Sequence, residues 1–305
     1  MPKKLILIAG PTASGKSNLS ISIAKKINGE IINADSMQVY KEFSILSSRP
    51  TKKDLKKIKH HLYGTISVKK YFSTGEWLKQ VKKKINDCIK REKIPILIGG
   101  TGLYFNASVK GISKVPKIDL IKRQNIRKLH ENIGQEKFYK KLIKLDPIAK
   151  NNISKFDSQR TIRAFEVKSQ TGKSLYEWTK DTKSDFKNFD IKKVFLNISK
   201  NYLMQNIEKR TNVMFKNGCV DEVKSFLKLK VDRDFSVNKL IGVREITEYL
   251  DGIINLERAK ELINIKTRQY AKSQNTWSRG HMKNWNMLYY KDLSVLTEKT
   301  LKVIS

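Results

Sequence analysis

Apolar positions along the chain alternate between two periods. Residues 4–9, Lys-Leu-Ile-Leu-Ile-Ala, are a short continuous run of strand type. From Ser17 to Ile27 the spacing turns helical, with Leu19, Ile23 and Ile27 at i, i+4 and i+8. Glu30–Ala34 reads as a second strand. A helix is predicted from about Gly75 to Glu92, its stripe formed by Leu78, Val81, Ile85, Cys88 and Ile89. Cys88 is thereby a core residue rather than a nucleophile. Lys79, Lys82, Lys83, Lys84 and Lys90 form the solvated face of that helix. Ile94–Ile98 is a third strand, closed by Gly99-Gly100-Thr101-Gly102. Strands alternating with helices predict βα units and a parallel sheet.

The pattern changes near Gly111. From about Ser113 to Asn188 the chain is helical, basic and Phe/Tyr-containing, with no clear strand. Val194–Ile198 restores strand character, and helices follow over 202–216, 220–229, 242–250 and 256–279. The expected organisation is an α/β core made of residues 1–112 and 190–305, with a helical subdomain of residues 113–189 inserted into it.

Charge narrows the partners. The 305 residues include 51 Lys and 12 Arg against 29 acidic residues, a formal net charge of +34. Such an excess points to a polyanion, nucleic acid or an anionic membrane face. A Lys-rich composition raises the charge with no partner at all, so charge alone leaves both readings open. Cys88 and Cys219 are too few for a disulfide framework, and a reducing cytoplasm is expected. No apolar run approaches the ~18–20 residues of a membrane span. The opening residues, Met1-Pro2-Lys3-Lys4 and the apolar run after them, imitate a signal peptide, but the run is brief and leads straight into a Gly-rich loop. The four histidines, His60, His61, His130 and His281, show no metal-ligand spacing.

The strongest chemical signal is Gly10-Pro11-Thr12-Ala13-Ser14-Gly15-Lys16-Ser17, which fits G-x-x-x-x-G-K-[ST] between a predicted strand and a predicted helix. Glycines let the backbone wrap a phosphate, and the helix N-terminus adds partial positive charge. Lys16 can neutralise outer phosphates, and the Ser17 hydroxyl can ligate Mg²⁺. The predicted fold class is therefore a P-loop NTPase-like parallel sheet with an inserted helical subdomain. The strand Ile94–Ile98 ends without the carboxylate that nucleotide hydrolases carry there. Asn238-Lys239-Leu240-Ile241 lacks the Asp of a guanine-reading motif. A phosphate-binding transferase remains. Asp35-Ser36-Met37-Gln38-Val39-Tyr40 follows the second strand, where ligands of parallel sheets bind. Asp35 is read either as a proton acceptor or as a helix N-cap.

Seven stretches recur in one order: Gly10–Ser17, Asp35–Tyr40, His60-His61-Leu62, Gly99–Tyr104, Asp157–Glu166, Ile241–Glu245 and Gln274–Arg279. Together they resemble the tRNA dimethylallyltransferases, also called tRNA isopentenyltransferases, over almost the whole chain. The resemblance implies transfer of a dimethylallyl group from dimethylallyl diphosphate to N6 of the adenosine at tRNA position 37, beside the anticodon. Diphosphate leaves, and Mg²⁺ is the implied cofactor. It implies Asp35 as general base, Thr101 beside the reacting base, and Gly10–Ser17 with Lys16 and Arg244 on the diphosphate. The tRNA contacts it implies are Asp35, Ser36, Met37, Gln38 and Thr101, then Arg123 and the stretch Gln159, Arg160, Thr161, Ile162 and Arg163. Trp277 and Arg279 end a basic helix that either faces the RNA or packs in the core. A cytoplasmic monomer that grips the anticodon stem-loop is implied.

Two departures from the family pattern stand out. Ile45-Leu46-Ser47-Ser48-Arg49-Pro50 occupies the place of I-G-T-A-K-P, and Lys272-Ser273-Gln274 that of K-R-Q. Two rivals remain: a P-loop small-molecule kinase, and an RNA-binding protein that keeps an inactive phosphate loop.

Overall fold

The computed structural model describes residues 3–232, 234–289 and 293–305; Met1 and Pro2 of the opening stretch lie outside them. The chain divides into two compact units, one formed by the chain up to Val109 and from Phe186 onward, the other by Lys110–Asp185.

The first unit carries six parallel strands: β1 (Lys3–Ala9), β2 (Gly29–Asn33), β3 (His60–His61), β4 (Ile94–Gly99), β5 (Phe189–Asn197) and β6 (Asn286–Tyr289). Their order across the sheet is β3-β2-β4-β1-β5-β6. The helices of this unit are α1 (Lys16–Lys26), α2 (Lys52–Lys57), α3 (Thr74–Lys90) and α4 (Gly102–Lys110), which runs into the boundary. The second unit contains α5 (Leu120–Leu145), α6 (Ser158–Thr171) and α7 (Leu175–Thr179). The first unit resumes with α8 (Lys200–Lys216), α9 (Cys219–Leu227), α10 (Val243–Leu250), α11 (Leu256–His281) and α12 (Leu293–Ile304).

Both faces of the sheet are covered, so its central strands β1 and β4 carry continuous apolar runs, Leu5–Ala9 and Ile96–Ile98, rather than an alternating pattern. Successive side chains of β1 point to opposite faces. Leu5 and Leu7 pack with Trp77, Val81, Ile85 and Cys88 of α3, while Ile6 and Ile8 pack with Leu19 and Ile23 of α1 and Leu296 of α12. A third cluster joins Phe43 and Leu46 to Met214, Val223 and Ile263 on the later helices and to Leu240 between α9 and α10. Ser73 and Glu76 form a capping box at the start of α3, which fixes where that helix begins.

Several boundaries differ from the sequence reading. Phe189 and Asp190, next to the expected end of the insertion, open β5, which starts five residues before Val194. Lys192 and Lys193 interrupt the apolar run there, yet their backbones pair with Ile6 and Leu7. β3 and β6 were not legible, because two- and four-residue strands carry no periodicity, and the sequence reading placed no helix at α12. In the second unit, Gly134 takes a φ of 75° and bends α5 into two segments.

Candidate active site

The phosphate loop joins β1 to α1. Ala13 and Gly15 adopt φ of 60° and 78°, the left-handed backbone that curls a chain around an anion. Residues far along the chain hold the loop in place. Asn206 Nδ2 on α8 donates to Ala13 O at 3.1 Å, Arg210 NH1 donates to Thr12 Oγ1 at 2.7 Å, and Thr12 N donates to Gln274 Oε1 on α11 at 2.8 Å. Lys16 Nζ donates to Pro11 O at 2.5 Å and to Ser14 Oγ at 3.4 Å. Burial pushes the Lys16 ammonium down to about 7; Asp35 opposes that shift and Arg210 adds to it.

A cavity of about 450 Å³ opens beside the loop. One part is charged and polar, lined by Thr12–Ser17, Asp35, Gln38 and Arg210; another wall is Leu46, Met214, Leu240, Ile241 and Ile263. The Nε of Arg210 is buried there without a hydrogen-bond partner. Burial also lowers the pKa of Arg210, and Asp35 opposes it. Two enclosed cations thus share one lining carboxylate, an arrangement completed by an anionic ligand.

Asp35 follows β2 and is fixed by its own neighbours. Its N–H donates to Asn33 Oδ1 at 2.9 Å, and its Oδ1 accepts from Met37 N at 2.9 Å. This is an Asx turn rather than a helix cap. Its Oδ2 lies toward Gly100, where an added Cβ would sit 3.6 Å away. Gly100 belongs to the lining of a second cavity of about 320 Å³, together with Thr101, Phe105, Phe195 and Trp277. The two cavities share Ser36 and Tyr270. Thr101 Oγ1 accepts from Ser36 N at 2.9 Å, which ties the end of β4 to the turn carrying Asp35. Gly99 permits that close approach: a Cβ there would meet Ala34 O at 2.0 Å.

Mg²⁺ takes hard oxygen ligands and usually keeps several waters. The Ser17 hydroxyl and the Asp35 carboxylate line the same cavity. These few oxygen donors fit such an ion while leaving positions for phosphate oxygens and water.

The structure brings Thr12, Ala13, Ser14, Gly15, Lys16, Ser17, Asp35, Ser36, Met37 and Gln38 to the first cavity, and Thr101 to the second. Gly10 instead packs against Leu196 and lines the second cavity; Pro11 contributes its carbonyl to Lys16. Arg244 corrects the sequence reading. Its side chain is 76% exposed, its Nε bonds Glu248 at 2.7 Å, and it lines neither cavity. On α10 the buried residues are Val243, Glu245 and Ile246, which leaves Arg244 on the outer face. The guanidinium at the phosphate loop is Arg210. It had no local signal, being one charged residue on an amphipathic helix 198 positions from Thr12.

In the second unit, Gln159 and Arg160 are exposed at the start of α6, Ile162 is half-buried, and Arg163 is partly exposed. Thr161 departs from the expected RNA contact: it is fully buried and its hydroxyl donates to Asp157 O at 2.6 Å. Arg123 pairs with Glu166 on α6. Of the departures, Leu46 is buried on the first cavity's wall and packs on Gly242, whose φ of 102° turns the chain there. Ser273 is exposed and lines the second cavity, so the missing cation concerns that rim. Trp277 is half-buried, stacking on His281 at 4.3 Å.

A phosphate loop after β1, one carboxylate after β2 and no acidic residue at the end of β4 define a phosphate-loop group transferase. A family model described as IPP transferase matches residues 38–281. The tRNA dimethylallyltransferase of Pelagibacter ubique is 54% identical over 282 residues, covering 92% of this chain and 90% of that protein. That of Rickettsia felis is 41% identical over 291 residues, covering 95% and 94%. Among solved structures, the full-length tRNA isopentenylpyrophosphate transferase of Bacillus halodurans aligns with TM-score 0.69 and 29% identity over 99% of this chain and 97% of that one. A eukaryotic dimethylallyltransferase acting on tRNA aligns with TM-score 0.81 and 30% identity over 96% and 75%. The chain belongs to the tRNA dimethylallyltransferase family.

Proposed function

We propose that this chain transfers a dimethylallyl group from dimethylallyl diphosphate to N6 of the adenosine at tRNA position 37. The observation that carries this reading is the pair of enclosed cations, Lys16 and Arg210, beside a carboxylate that stands between two cavities. The charged part of the first cavity suits a diphosphate, and its apolar wall suits a five-carbon chain. The second cavity, with aromatic walls and a Thr hydroxyl, suits a base pulled out of a loop stack.

The residues then divide the work. N6 attacks the allylic carbon, the carbon–oxygen bond breaks, and its electron pair leaves with diphosphate. Lys16, Arg210 and the loop N–H groups stabilise the charge that develops on the leaving oxygen. Asp35 accepts the N6 proton, which becomes acidic as the new C–N bond forms. Thr101 orients the turn that carries Asp35. Mg²⁺ held by Ser17 would supply further positive charge at the diphosphate. Gln159, Arg160 and Arg163 contact the RNA, and the chain acts as a monomer in the cytoplasm.

A transfer assay tests this. Label from the prenyl donor is expected to enter tRNA; phosphoryl transfer from labelled ATP would favour the kinase reading instead. Asp35→Asn is expected to lower turnover by about 10²–10⁴ while tRNA still binds. Near-wild-type turnover in that variant removes the base assignment.

A further inference from the structure

Glu166 on α6 is buried, its side chain only 1% exposed. A carboxylate in that position is costly unless it is paired. It is paired with more than it needs. Arg123 Nε on α5 lies 3.1 Å from its Oε1, Arg163 NH1 on α6 lies 3.2 Å from its Oε2, and Arg127 Nε on α5 lies 3.7 Å from its Oε1. One negative charge thus holds three guanidiniums, which leaves a local excess of two positive charges.

The same three arginines keep surface. Their side chains are 37%, 32% and 39% exposed, so pairing with Glu166 seals none of the three off from solvent. Arg127 is the least satisfied: its Nε is buried and makes no hydrogen bond. Helix spacing explains the convergence. Arg123 and Arg127 are four residues apart on α5, and Arg163 and Glu166 are three apart on α6, so both pairs share a face. Leu142, Ala149, Ile153 and Ala164 form an apolar cluster that includes residues of both α5 and α6. A guanidinium fixed along one edge loses little further freedom when its other edge binds a phosphate in a forked geometry.

We propose that Glu166 is a positioning residue that gathers Arg123, Arg127 and Arg163 into one binding site for the RNA phosphate backbone, with Arg127 a contact in its own right. The inference rests on the tRNA reading above. A purely structural ion-pair cluster joining α5 to α6 is the competing account.

The sign of one substitution separates them. Glu166→Gln adds one unit of positive charge to the chain. Simple attraction then predicts tighter tRNA binding, whereas loss of positioning weakens it. Binding of tRNA to the full chain, without donor, is measured over a salt series. Glu166→Gln is expected to bind about 5- to 10-fold more weakly. Arg127→Ala is expected to lose about as much and to reduce the slope of log affinity against log salt by about 0.7–0.9, one phosphate's worth. Binding by Glu166→Gln at or above wild-type strength, or an unchanged slope in Arg127→Ala, overturns the proposal. If Glu166→Gln melts early, Arg127→Lys carries the test: it keeps the charge and loses the fork, so affinity falls while the slope stays, and wild-type affinity overturns the site. A wild-type chain that binds tRNA but moves no prenyl group would sink the proposed reaction and leave this inference standing.

Discussion

Gln274 on α11 accepts a hydrogen bond from the backbone N–H of Thr12 at 2.8 Å. Its amide also donates to Gly100 O at 2.9 Å. One side chain therefore spans the phosphate loop and the end of β4, the two segments that line the two cavities. Gln274→Ala removes both bonds and leaves a loop N–H to find water. The donor KM is expected to rise about 5- to 10-fold, read from steady-state kinetics. An unchanged KM would detach Gln274 from the loop's shape.

Lys16 gives a pH dependence with a definite sign. Its pKa in the free protein is pushed down to about 7, chiefly by burial. A bound diphosphate favours the protonated ammonium and raises that pKa. Above about pH 7 the free protein must therefore take up a proton as it binds, and affinity falls as pH rises. Calorimetry of diphosphate binding at pH 8 in buffers of different ionisation enthalpy is expected to report proton uptake. No uptake would show that Lys16 is already charged or does not meet the anion.

Arg210 and Arg244 separate the structural reading from the sequence reading. Arg210→Ala removes the cation bonded to Thr12 and is expected to raise the donor KM by about 10-fold or more. Arg244→Ala removes an exposed partner of Glu248 and is expected to leave the donor KM within about 2-fold. The reverse ranking would restore Arg244 to the diphosphate.

Acid stability turns on a buried polar group. His61 Nε2 lies 2.6 Å from Glu30 Oε2, which also accepts from Arg91 NH2 at 2.6 Å. Burial lowers the His61 pKa, with Glu30 only partly opposing it. For Glu30 burial acts upward, but hydrogen bonds from His61, Arg91 and Cys88 outweigh it and hold the carboxyl below its ordinary value. On acidification the unfolded chain protonates both groups before the folded chain does. Stability is therefore full at neutral pH and declines from about pH 6.5 downward. Melting temperature measured from pH 7.5 to 4.5 checks this, and a flat profile would contradict it.

Glu30, His61 and Cys88 also place donor atoms within 4.8 Å of one another, the one such group among the described residues. His61, Arg91 and Cys88 all bond Oε2 of that carboxylate, so the group satisfies its own hydrogen bonds without an ion. Burial pushes the Cys88 thiol up to about 12, so it stays protonated and unreactive, as its place in the α3 stripe predicts.

The amino-acid sequence by itself determined the features carried by short-range order. The strand, Gly-rich loop and helix around Lys16 were legible because glycine spacing and apolar periodicity act within about ten residues. So were Asp35 at the end of β2, the stripe of α3 and the ordered motifs that identify the family. Tertiary structure alone decided which side chains meet across long separations. Arg210, Asn206 and Gln274 reach the phosphate loop from α8 and α11, and no local pattern distinguishes them from other polar residues on amphipathic helices. Arg244 and Thr161 sit inside recognisable motifs, yet helix phase turned one to solvent and the other into the core. Short-range order sets the elements and the loop; the packing of helices against the sheet chooses which charges enter the cavity, because only there is an unpaired charge costly enough to demand a ligand.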